Sequence, residues 1–72
     1  MVEVGQRLSG EIVAVGTFNE GFFRIKDNSG YTYTCYVRNR DKWDVLYDWM
    51  SRDRVSVLVN DKIRDDILVV SI

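Results

Sequence analysis

The hydrophobic period of this chain changes twice, and no other feature constrains its fold as tightly. Residues 22–37, "FFRIKDNSGYTYTCYV", follow the period of two that sends successive side chains to opposite faces of a strand. Residues 38–53, "RNRDKWDVLYDWMSRD", instead repeat Trp43, Leu46 and Met50 at i, i+3 and i+7, the spacing of one helix face. From Val55 the alternation returns, with Val55, Val57 and Val59 set against Ser56, Leu58 and Asn60. A β-rich chain with one short helix set into its middle is the arrangement this order specifies.

The individual elements follow from local chemistry. Leu8–Val15 reads as a long first strand that bends, because Gly10 lies inside it and Gly16 at its end. "GTFNEG" after it is a loop with Phe18 at its tip. Phe22–Lys26 is the second strand, with Phe23 and Ile25 on one face and Phe22, Arg24 and Lys26 on the other. "DNSG" closes a hairpin, Gly30 supplying a positive φ, and Tyr31–Val37 is the third strand. Asp41 is expected to cap a helix of two to three turns whose aspartates, Asp41, Asp44 and Asp48, form the solvated side. Strand four starts at Val55 and strand five covers Asp66–Ser71. "NDKIRDD" between them either extends strand four or forms a charged loop.

At 72 residues the chain has material for one core and is expected to be a single domain. Its longest uninterrupted apolar stretch, Ile67–Val70, is far shorter than a membrane-spanning helix. The start, "MVEVGQRLSG", lacks the basic and apolar regions of a secretory signal, and Cys35 has no second cysteine to pair with. These features point to a soluble cytoplasmic protein with no membrane partner.

The function classes narrow by what is missing. With no histidine in the chain, the common general base and the Ser-His and Cys-His pairs are ruled out. Cys35 stands without a zinc ligand set, Asp65 and Asp66 would point apart in an extended segment, and no Gly-rich phosphate loop leads into a helix. No catalysis, metal or cofactor is expected. The formal net charge of −1 argues against a protein that coats nucleic acid by charge alone. The charges are nonetheless unevenly placed. Arg24, Lys26, Arg38 and Arg40 face only Asp27 between Phe22 and Arg40, whereas Asp41, Asp44, Asp48, Asp53, Asp61, Asp65 and Asp66 follow in the second half.

Within the basic region, a ring flanked on one strand face by two cations, as in Phe22, Arg24 and Lys26, suits stacking of unpaired bases with phosphate contacts. The order strand, strand, strand, helix, strand, strand is that of an OB-fold, an all-β five-stranded Greek-key barrel with its helix between strands three and four. An SH3-like barrel has no helix there. On "LSGEIVAVG", "FFRIKDNSGYTYTCYV", "WDVLYDWMSRDRVSV" and "DILVVSI", the chain resembles nucleic-acid-binding OB domains of the anticodon-binding and replication protein A type.

That resemblance implies a groove over strands two and three in which Phe22, Tyr31 and Tyr33 stack bases of single-stranded DNA or RNA. Arg24 and Lys26 would meet phosphates, and Phe18, Lys62 and Arg64 would complete the groove from the flanking loops. The register of strand three is open. Apolar pattern turns Tyr31, Tyr33, Cys35 and Val37 inward and leaves Thr32, Thr34 and Tyr36 outside, while the resemblance implies the reverse, and a slip of one residue exchanges the faces. The alternative function is a protein adaptor that docks a partner on a helix face carrying Val45 and Trp49.

Overall fold

The structure is a computed structural model and describes residues 2–52 and 54–72. Met1 and Asp53, the latter counted among the acidic residues above, lie outside the described residues. The strands are β1 (Arg7–Val15), β2 (Phe22–Lys26), β3 (Thr32–Val37), β4 (Val55–Arg64) and β5 (Ile67–Ser71). They close into a barrel in the order β1-β2-β3-β5-β4, and a 3₁₀ turn (Arg40–Lys42) and a short helix, α1 (Val45–Trp49), occupy the connection from β3 to β4. This all-β barrel is the expected fold class, and its strand order is consistent with an OB-like arrangement.

Closure depends on one strand serving two neighbours. The first half of β1 pairs with β4, from Arg7 opposite Leu58 to Gly10 opposite Val55, and the second half pairs with β2, from Glu11 opposite Lys26 to Val15 opposite Phe23. Gly10 sits at the handover, where a Cβ would run into the Lys26 carbonyl. An irregularity between Ile12 and Ala14 leaves Val13 exposed and turns the strand. The barrel then closes through the parallel pairing of β3 with β5, which requires a crossover connection, and the chain makes it through the 3₁₀ turn, α1 and β4.

The interior is apolar throughout. Phe23 and Ile25 from β2, Tyr33, Cys35 and Val37 from β3, Val55, Val57 and Val59 from β4, and Leu68 and Val70 from β5 meet Leu8 and Ile12 of β1. Among the described residues the buried side chains that carry a polar group are Tyr33, Cys35 and Trp43, and no charged side chain is buried. Each fully buried Phe, Leu or Val in such a set contributes about 1.5–3 kcal/mol relative to exposure.

The helical segment is shorter than its periodicity suggests. Trp43 and Leu46 are buried at the barrel end as the spacing requires, but α1 stops at Trp49, so Met50 is exposed. Asp41 does not cap the helix: it belongs to the preceding 3₁₀ turn, and Asp44 holds the N-cap position without a side-chain hydrogen bond. The segment is anchored at its start, where Asn39 Nδ2 donates to the Ile72 carbonyl and Asn39 Oδ1 accepts from the Ile72 N–H. The charged stretch "NDKIR" resolves as strand: β4 runs to Arg64, accommodated by register shifts at Val59/Asp61 and Lys62/Arg64.

Candidate nucleic-acid interface

The antiparallel register of β2 and β3 sets the composition of their outer face. Phe22 lies opposite Tyr36, Arg24 opposite Thr34 and Lys26 opposite Thr32, with the intervening pairs Phe23–Cys35 and Ile25–Tyr33 turned into the core. The Phe22 and Tyr36 rings are therefore direct cross-strand neighbours, their centroids 6.2 Å apart and their planes tilted by 55°. Such a contact contributes about 0.5–1.5 kcal/mol beyond burial. Gly16 makes room for it: a Cβ there would stand 2.6 Å from Phe22 Cε1, and the Gly16 N–H donates to the Phe22 carbonyl at 2.9 Å. Phe22 is half-buried on its outer face, and Tyr36 keeps 40% of its surface exposed.

The register corrects the expected ring set. Tyr33 is 3% exposed and packs in the core, so it cannot offer a face to a base. Apolar alternation determines the outcome: with Cys35 and Val37 inward, Tyr33 must follow, and the outward threonines line the sheet surface. Burial, and secondly the charge of Asp27, hold the Tyr33 phenol above the usual tyrosine range. Tyr31 is exposed but precedes β3, its ring 4.8 Å from that of Tyr33, at the hairpin end remote from Phe22. Tyr36, which the resemblance placed inward, is the ring that stands beside Phe22. The alternation of the apolar set in "TYTCYV" was the signal that identified it.

The loops behave differently from the sheet. In the β1–β2 loop, Thr17 and Glu20 bond reciprocally, the Thr17 N–H donating to Glu20 Oε1 at 2.8 Å and the Glu20 N–H to Thr17 Oγ1 at 3.2 Å. Phe18, 53% exposed, meets Trp43 edge-on at 6.1 Å, and the Arg40 guanidinium lies 6.0 Å from the Phe18 ring centre. Arg40 Nη1 donates to the carbonyls of Phe18 and Asn19 at 3.3 and 3.4 Å. Phe18 is thus a partner of the β3–β4 segment and does not stand with Phe22 and Tyr36.

On the opposite side, β4 and β5 are joined by only Asp65 and Asp66 between the paired residues Arg64 and Ile67. Lys62 is half-buried, its Nζ 3.7 Å from Glu3 Oε1 and 3.8 Å from Asp65 Oδ1, so carboxylates already compensate its charge. Arg64 is exposed at the end of β4.

Arg24 and Lys26 are exposed and take part in no ion pair or side-chain hydrogen bond among the described residues. Asp27, the nearest carboxylate in sequence, is engaged within its own turn: its Oδ1 accepts from Ser29 N–H, Ser29 Oγ–H and Tyr31 N–H at 3.0, 2.8 and 2.9 Å. Those bonds, chiefly that from the Ser29 hydroxyl, hold its carboxyl below the usual range. The Cys35 thiol is buried and pushed up to about 12 by desolvation, leaving it neutral and unreactive at ordinary pH. Among the described residues no group of His, Cys, Asp or Glu could hold a metal ion, and no helix is long and apolar enough to cross a membrane. No protein-family model, curated protein or solved structure matches this chain significantly.

Proposed function

We propose that the chain is an OB-type module that binds single-stranded DNA or RNA, without catalysis, across the outer face of β2 and β3. The observation that carries this reading is the outward-facing Phe22–Tyr36 pair, Phe22 half-buried and Tyr36 exposed, with Arg24 and Lys26, which form no ion pair among the described residues, continuing along the same strand face. Bases are sequence-tolerant partners for such rings, each stack contributing about 1–3 kcal/mol, and the cations lie where the connecting phosphates would run. Thr32 and Thr34 add hydroxyls that can donate or accept between them.

A protein adaptor that uses the helix has less support. Val45 and Trp49 are half-buried, and Trp49 packs against the core, so the face expected to receive a partner is largely turned inward. Tyr47 and Met50 are what α1 leaves exposed.

The test is a fluorescence-anisotropy titration of labelled single-stranded DNA and RNA at two salt concentrations, with Phe22→Ala and Tyr36→Ala in parallel. Binding that weakens with salt and falls roughly tenfold or more in either variant is the expected result. Absence of binding to both polymers at low salt would reject the proposal and leave the helix surface as the place to look.

A further inference from the structure

Resting on that reading, we infer that the interface holds only a two-base step and the phosphates beside it. Its ligand is a stretch of two to three nucleotides, below the roughly 4–16 that OB domains usually cover.

The first ground is the number of stacking surfaces. Phe22, half-buried, and Tyr36, exposed, are the one ring pair on the outer β2–β3 face among the described residues, since Tyr33 is buried, Tyr31 lies at the far hairpin end and Phe18 is turned to Trp43. A longer strand would find no third ring in line with them.

The second ground is that both ends are closed. Near Phe22, the β1–β2 loop is fixed by the Thr17–Glu20 pair, by the Gly21 N–H bond to the Thr17 carbonyl and by Arg40, so the Thr17, Glu20 and Gly21 N–H groups and the Phe18 and Asn19 carbonyls are already engaged. At the other end the Thr34 N–H donates to the Asp66 carbonyl, which brings the Asp65–Asp66 turn against the start of β3. Glu11 stands opposite Lys26 on β1, and Lys62 is already compensated by Glu3 and Asp65. A phosphate carried past Lys26 would meet carboxylates. Arg24 and Lys26, together with Arg38 two positions beyond Tyr36, are the cations left beside the ring pair, since Arg64 stands next to Asp65 and Asp66 at the end of β4.

The test is a length series of oligothymidylates from two to ten nucleotides, measured by isothermal titration at several salt concentrations and corrected for the number of binding registers. We expect affinity per register to level off by three nucleotides. A dinucleotide carries one internucleotide phosphate and a trinucleotide two, and contacts to one or two phosphates give a slope of log K on log salt of about −0.7 to −1.4 for a single strand. In the double variant Asp65→Asn, Asp66→Asn, the longer oligonucleotides should gain about two- to fivefold, the size of an exposed charge term, with the dinucleotide unchanged. Affinity per register that keeps rising to six or ten nucleotides in the wild type, with a steeper slope, would overturn the short footprint and leave the nucleic-acid reading standing. No binding at any length would overturn that reading, and this inference with it.

Discussion

Two places on this barrel combine a phenylalanine, a second ring and an arginine, yet they have opposite characters. In the β1–β2 loop Phe18 meets Trp43 edge-on, and Arg40 donates to the Phe18 and Asn19 carbonyls. On the β2–β3 face Phe22 meets Tyr36 at nearly the same centroid separation, but Arg24 has no partner among the described residues. As sequence the two are alike. What separates them is whether the guanidinium donors are satisfied within the fold: an arginine bonded to carbonyls holds a loop, and one that faces water is available to an anion.

The largest effect should come from the closed region. Trp43 is buried, although its Nε1 has no hydrogen-bond partner, which costs about 1–3 kcal/mol. Trp43→Ala is expected to destabilise the chain by about 3–5 kcal/mol in urea unfolding, whereas Tyr36→Ala should cost only about the 0.5–1.5 kcal/mol of its contact with Phe22. Equal losses in the two variants would erase the distinction between the regions.

Next come the rings of the open face. Phe22→Ala and Tyr36→Ala should each weaken oligonucleotide binding by about 1–3 kcal/mol, while Phe18→Ala leaves it within twofold. Gly21 adopts φ 72°, and a Cβ there would press on the Arg40 guanidinium. Gly21→Ala should therefore lower stability by about 1–2 kcal/mol through backbone conformation alone. Arg24→Ala is expected to be silent in unfolding but to reduce the salt slope of binding by about 0.7, and Arg40→Ala to do the reverse, lowering stability with the slope unchanged.

The smallest effect concerns pH. Glu20 is held below the usual carboxylate range, first by the Thr17 N–H and then by the Thr17 hydroxyl, and Asp27 is lowered chiefly by the Ser29 hydroxyl. A carboxyl depressed in the folded state stabilises above its unfolded value and loses that contribution as pH falls through the folded one. From roughly pH 5 downward, the protection of the turn amides, taken relative to their intrinsic exchange rates at each pH, should fall before that of the barrel. Glu20→Gln should abolish that pH dependence in the first turn and leave it in the second.

Much of the fold was legible because period and turn chemistry agreed. β2 spans the residues its alternation marks, and the helix falls where the period changes. The tie between this segment and β5 was not legible, because the Asn39–Ile72 bonds that make it join residues 33 positions apart. The extension of β4 through charged residues depends on two register shifts that no local pattern encodes. For the site, Phe22, Arg24 and Lys26 were readable from one strand. Tyr36 required the register of a second strand, where the resemblance pointed one way and the apolar alternation, which governs it, the other. The engagement of Arg40 and Phe18 arises from a contact between separate loops, which spacing along the chain cannot reveal.

The most direct test of the open face is an amide chemical-shift titration of the labelled protein with a short single-stranded oligonucleotide. We expect the perturbations to centre on Phe22, Arg24, Thr34 and Tyr36 and to spare the loop around Phe18. Shifts centred on Phe18, or on Tyr47 and Met50, would contradict this assignment.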